Sequence, residues 1–499
     1  MIIGTLGSSA RVRVSAGGVL RLPSGVDVAW WIGADDRWHV PAEEITVRQS
    51  LVADAPVLRI AVRVPGGDVV TTLAAVQQAQ RELVVIDIAN QSAVPVAVGF
   101  IITVVGQVVG QRVITVDGST VRVDGIPVLY LPRAPRFAVG VAAGADLRQA
   151  LQAGESGAIV AGAAQVAVML PVTHRTTLRA AALLGAASVT ALAASPVLSA
   201  LPDGDAVARG WAIQAGRVPS VDGHDIWDSR LRSLGAAVLL EADAFAPTDV
   251  DVDLVRLCAL SRACDRMGLH TEAGTMLEIL DGFQGRRGAI GDESQPLTTA
   301  LAVAALADHA TLTSDGAFAS GMAPLVAGAL EFLHKRGLAP DRSVFRAAAR
   351  LFTLAGEDRA ARTAIKVWTE AGLPWPLVRA PLPPMPAVSD GASLLPDDLI
   401  RLSDAALDAT GGIALEDGEG VLNLLGGMRA DELLGVNLAV HRAPTVHGSL
   451  SFALRWHGAR AALLWEFSAG AGGALRVPSL APRHVVAGER TGEILLSPA

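Results

Sequence analysis

Aromatic side chains are scarce in this chain. They make up 4 % of 499 residues, and Tyr130 is the only tyrosine, although nine tryptophans remain. That leaves little material for the stacked aromatic faces on which carbohydrate subsites usually rest. Lysine is nearly absent, with Lys335 and Lys366 alone, so arginine supplies the positive charge. The net charge of −8 argues against a nucleic-acid-binding or anionic-membrane surface. Cys258 and Cys264 are the only cysteines. Six residues apart on a helix, they point about 240° from one another. They cannot pair locally, and a reduced, cytoplasmic chain is expected.

Other absences exclude whole chemistries. There is no glycine-rich phosphate loop with its lysine, which speaks against nucleotide hydrolysis, and no Gly-x-Ser-x-Gly nucleophile elbow. The ten histidines and two cysteines show no metal-ligand spacing, so neither metal nor other cofactor is expected. The N-terminus has no basic start followed by an apolar core, and so does not read as a signal peptide. Ala180 to Leu201 carries no charge, but Ala, Ser, Thr and Gly dilute it and Pro196 interrupts it. A membrane span needs about 20 predominantly apolar residues. This run reads as a buried connector, and no membrane partner is expected.

What is present falls into three regions. From residue 10 to about 175, β-branched runs such as Val28 to Ile32, Val57 to Val64, Leu83 to Ile88 and Val94 to Val104 are punctuated by turns such as Pro65-Gly66-Gly67-Asp68. Many short strands with turn signals predict an antiparallel sandwich. Several runs lack strict alternation, which fits strands covered on both faces.

Near residue 206 the apolar period changes to about 3.6. Helices are predicted at roughly 226–243, 251–267, 270–284, 295–309, 321–336, 343–355, 357–371 and 396–408, or about four αα-hairpins. A Pro-rich connector at 372–396 is impassable to a helix. Strands return from Gly411. The predicted domains are thus 1–205, 206–410 and 411–499.

The most informative segment runs from Leu269-His270-Thr271-Glu272-Ala273 through Gln284 and a Gly-rich loop, Gly288 to Ser294, to Asp308-His309 and Thr311-Leu312-Thr313-Ser314-Asp315. Three further stretches are Leu170-Pro171-Val172-Thr173-His174-Arg175, Leu201-Pro202-Asp203 with Gly210-Trp211, and Val440-His441-Arg442-Ala443-Pro444-Thr445 followed by Gly448 to Gly458 and Leu463-Leu464-Trp465-Glu466. Together they resemble the actinobacterial six-hairpin (α/α toroid) glycosidase-like proteins. The resemblance implies an N-terminal β-supersandwich, a central α-hairpin domain like a partial (α/α) toroid and a small C-terminal β-sandwich. A full toroid has twelve helices, so hairpins are missing here.

Glycoside hydrolysis with inversion needs a protonated carboxyl for the leaving oxygen and a second carboxylate to activate water, about 6.5–9.5 Å apart. Asp292 and Glu293, ahead of a helix, are candidates for the acid; the same positions suit helix capping. Glu416 and Glu419, in an acidic turn with Asp417-Gly418, are candidates for the base. Trp38 and His39 in the sandwich, and Trp227 and Asp228 at the start of the first helix, are candidates for substrate binding. The competing reading of Trp38 and His39 is a partly buried pair at an inter-domain seam, and that of the first-helix start is a helix cap at Asp225. Arg455, Trp456 and His457 alternate as a strand and read as packing rather than as a sugar platform. Two functions remain open: an inverting glycoside hydrolase, or a non-catalytic glycan-binding or scaffold relative that has lost hairpins and aromatic subsites. A glycan is the one partner expected.

Overall fold

The computed structural model describes residues 1–8, 10–105, 112–152, 163–186, 195–245, 253–336, 342–370, 399–417, 420–470 and 472–496. The Pro-rich connector and Glu419 lie outside them. The described residues divide into two compact units, one up to Ile213 and one from Gln214 onward.

The first unit contains two eight-stranded sheets in which every pairing is antiparallel. One sheet is centred on Val26–Gly33, Val96–Val104 and Gln165–Val172, and the other on Thr177–Ala186, Arg81–Asn90 and Gly67–Gln78. Trp30, Ile32, Ile60, Ile86, Ile88 and Phe100 belong to the core cluster that both sheets share. Each sheet is also covered on its other face. Ile101, Val139 and Ala167 lie under Leu147 and Leu151 of helix α1 (Leu147–Gln152). Val76, Leu83, Val85, Tyr130 and Ala181 lie against Leu201. Burial on both faces removes the selection for alternating polar residues, which explains the unbroken apolar runs.

The charge-free run from Ala180 is therefore not a connector at its start. Thr177–Ala186 is a strand inside the second sheet, paired with both Arg81–Asn90 and Ile126–Tyr130. Ala180, Ala181 and Ala182 are fully buried there. Small side chains fit a strand with a layer packed on each face. Helix α2 (Gly204–Ala215) follows.

The second unit begins with the strand Ser220–Asp222 and then becomes helical: α3 (Asp225–Ala244), α4 (Leu254–Arg266), α5 (His270–Leu277), α6 (Pro296–Thr313), α7 (Gly316–Lys335), α8 (Arg342–Leu354), α9 (Asp358–Glu370) and α10 (Leu399–Ile413). A 3-10 turn, Glu278–Phe283, continues α5. The predicted helices are all present, within a few residues. Asp253 caps α4 and Asp315 caps α7, each accepting from two backbone N–H groups of the first turn. Gly268 stops α4 with φ +74°, a left-handed conformation that glycine adopts without penalty.

The even-numbered helices pack in the order α8, α6, α4, α10, and the odd-numbered ones flank them. α6 is buried almost all round. Among the described residues, α7 alone is long and apolar enough to cross a membrane. It packs against α6 and α8, and its buried face includes Ala319, Ala323, Val326, Ala329 and Leu333.

Strands return after α10. Ala414–Glu416, Leu422–Leu424 and Leu475–Arg476 form a three-stranded sheet. A five-stranded antiparallel sheet runs Ser220–Asp222, Leu438–Thr445, Gly448–His457, Arg460–Phe467, Thr491–Leu495. Its first strand precedes all the helices of the unit, so helices and C-terminal strands form one compact body. Helix α11 (Ala430–Leu433) lies between the sheets in sequence.

Candidate functional site

The Gly-rich segment between the 3-10 turn and α6 is pinned to α7. The Gln284 amide donates to the carbonyl oxygens of Gly288 and Leu325 at 3.2 and 2.8 Å. Gly288, at φ +91°, lies so close to Gly328 of α7 that a Cβ would fall 2.2 Å from the Gly328 carbonyl oxygen. Beside this loop opens a groove of about 600 Å³ whose walls include Gln284, Arg286, Arg287, Glu331, Lys335 and Arg336. Its charge is partly neutralised internally: Lys335 pairs with Glu331 at 2.6 Å.

Asp292 and Glu293 follow the loop, but neither caps α6. The N-cap is Gln295, without a side-chain bond, and Pro296 occupies the first turn. Proline supplies the helical φ and has no N–H to cap. Asp292 instead accepts from the Ser294 N–H at 2.8 Å and the Ser294 hydroxyl at 2.6 Å. These bonds hold its carboxyl below the ordinary carboxylate range. Glu293 pairs with Arg287 at 2.9 Å and lies 3.8 Å from Arg336.

Glu416 lies in the strand that leaves α10. Its Oε1 accepts from Arg350 at 2.5 Å and Arg346 at 3.4 Å, both on α8. The adjoining Asp417 pairs with Arg476 at 2.6 Å. His447 is half-buried nearby, with Nε2 enclosed and unpartnered. Desolvation pushes its pKa down; the Glu416 charge opposes this and the Arg350 charge adds to it.

Trp227 is 4 % exposed, and its ring fills a slot walled by Gly412 and Gly427, where a Cβ would come within 2.7 and 2.9 Å of it. Asp228 accepts from the Val221 N–H at 3.0 Å and pairs with Arg232 at 2.8 Å, tying the first strand of the unit to α3. In the sandwich unit, Trp38 lies across its own sheet, over Gly33 and Gly99. His39 is buried between Asp36 at 3.0 Å and Glu44 at 3.1 Å. Each sequence candidate that is described thus sits in a packing, hydrogen-bond or ion-pair role: Asp292 with Ser294, Glu293 with Arg287, and Glu416 between α8 and the strand that leaves α10.

One cluster has no counterpart in the sequence reading. Asp265 in the last turn of α4, His270 at the start of α5 and His309 in α6 bring three potential ligand atoms within 4.8 Å of one another. Asp265 Oδ1 lies 2.9 Å from Nδ1 of His270 and 2.9 Å from Nδ1 of His309. Asp265 is fully buried, and its Oδ2 has no partner. The tight turn at Gly268 folds His270 back over Asp265, while His309 comes from 44 residues away. Only the proximity of α4 and α6 joins them.

No protein-family model matches this chain, and no curated protein matches it. Among solved structures, it is similar to a bacterial glucoamylase complexed with acarbose, at 8 % sequence identity and a TM-score of 0.48. The match covers 74 % of this chain and 65 % of the glucoamylase chain. The likeness to a glycoside hydrolase is therefore a distant one.

Proposed function

We propose that this protein is a non-catalytic, glycan-binding relative of the toroidal glycoside hydrolases. One observation carries the reading: the described carboxylates suited to sugar chemistry are already committed. Glu293 is held by Arg287 and Arg336, Glu416 by Arg350 and Arg346, and Asp292 by Ser294. A general acid must keep its proton near neutral pH, which takes an apolar surrounding or a like charge. The Ser294 donors favour the ionised form of Asp292 instead. Burial pushes the Asp27 carboxyl upward, but that residue lies in the sandwich unit.

The groove beside Gln284–Gly288 supports binding. It is open and rich in guanidinium and amide donors, a surface that suits hydroxyl- and carboxylate-bearing sugars. The alternation of inner and outer helices, α8, α6, α4, α10 against α9, α7, α5, α3, agrees with a reduced four-hairpin form of the toroid.

A panel of neutral and uronate-bearing oligosaccharides, scored for both binding and release of reducing ends, tests this. Binding without turnover, weakened by Arg286→Ala, is expected. Turnover abolished by Glu293→Gln would make the protein a glycoside hydrolase, inverting if the first-formed product has the opposite anomeric configuration, and no binding to any glycan would remove the carbohydrate reading.

A further inference from the structure

We infer that Asp265, His270 and His309 form a binding site for a single divalent transition-metal ion of the zinc type, at the junction of α4, α5 and α6. Two independent observations meet here. The first is convergence. Three potential ligand atoms from three helical elements lie within 4.8 Å of one another, with Oδ1 2.9 Å from each Nδ1. Neighbouring ligands of an ion with bonds of about 2.0–2.1 Å are themselves separated by about 3 Å. The second is an unmet need. Asp265 is fully buried, and both imidazoles crowd one of its oxygens while Oδ2 has no partner. A buried, unpartnered carboxylate oxygen is costly. A cation held by this carboxylate would give it the missing interaction.

The surroundings suit a metal site. His309 is 6 % exposed, and its ring is fixed edge-on against Phe318 at a centroid distance of 4.5 Å. Gly274 leaves that ring room, since a Cβ there would come 3.3 Å from Nε2. The His270 side chain is one-third exposed, at 33 %, so an ion could enter from its side and keep a coordination position for water. A set of two imidazoles and one carboxylate, without thiolate, selects zinc, cobalt or nickel over calcium and magnesium. The site is separate from the sugar-binding groove, and its test does not depend on that reading.

Cobalt titration of the full-length chain, stripped with a chelator and dialysed, decides the question. The expected result is saturable binding of one Co²⁺ per chain with visible d–d absorption, displaced by Zn²⁺. His270→Gln, at the exposed edge of the cluster, should leave the circular-dichroism spectrum unchanged and weaken binding at least about 10-fold, the low end of losses seen when metal-site residues are altered. Absence of saturable binding, or binding unchanged in His270→Gln, would overturn the site and leave a hydrogen-bonded cluster of two imidazoles and one carboxylate. Asp265→Asn serves as a second variant: if it folds, it too must lose the cobalt spectrum.

Discussion

Glu416 accepts a hydrogen bond from Arg350 at 2.5 Å, and through it the strand leaving α10 is fastened to α8. Those two helices stand at opposite ends of the row α8, α6, α4, α10. The ion pair therefore joins the ends of the helical array and ties it to the three-stranded sheet.

Glu416→Gln should lower the unfolding free energy by about 1.5–3 kcal/mol, the usual worth of hydrogen bonds to charged groups. Urea unfolding measures this. In a double-mutant cycle with Arg350→Leu, the two losses should be strongly non-additive. Simple additivity would mean that the pair does not couple the two helices.

Both thiols should be silent in the native protein. Burial pushes Cys258 up to about 12, and it pushes Cys264 well above the ordinary thiol range. Ellman's reagent should label neither under native conditions and both in denaturant, because the thiolate is the reactive form. Fast labelling of the native chain would place α4 in an opening segment.

His447 predicts a stability loss on acidification. Its folded pKa is depressed by burial, so the unfolded chain takes up the proton first. Stability is then full above the unfolded histidine pKa of about 6.5 and declines as pH falls from there through the folded value. Thermal melts between pH 7.5 and 5 should show a shallower decline in His447→Gln. They should show a steeper one in Glu416→Gln, which removes the nearby negative charge.

Trp227→Ala should cost about 3–5 kcal/mol, the range for emptying a buried tryptophan site. Gly412→Ala should also destabilise, since the new methyl meets the indole at 2.7 Å. If both variants melt like the parent, the ring is not a core element and a ligand-binding role regains weight.

The helical region was legible because its apolar period and glycine stops agree with one another, as at Gly268, although the start of α7 at Gly316, capped by Asp315, lies five residues before the predicted one. The sandwich was legible from its β-branched runs. Thr177–Ala186 was not, since alanine has weak strand preference and an uncharged alanine run reads as a linker or a helix. The turn chemistry at Asp292 also misled: acids ahead of a helix suggest capping, whereas Pro296 starts α6 and Ser294 takes up the carboxylate. The cluster at Asp265 was invisible because its ligands are not spaced as a motif. His309 reaches Asp265 only through the packing of α4 on α6, a long-range fact that no local pattern encodes.

The strand Ser220–Asp222 finds its partner in Leu438–Thr445, with Val221 opposite Val440. During synthesis that strand emerges more than two hundred residues before its neighbour, so its edge waits unpaired while the whole helical array is made. Release of a chain stopped after α10 would leave the segment exposed and adhesive. The second unit is thus a structure whose beginning is completed only by its end, and its assembly is bound to be slow and late.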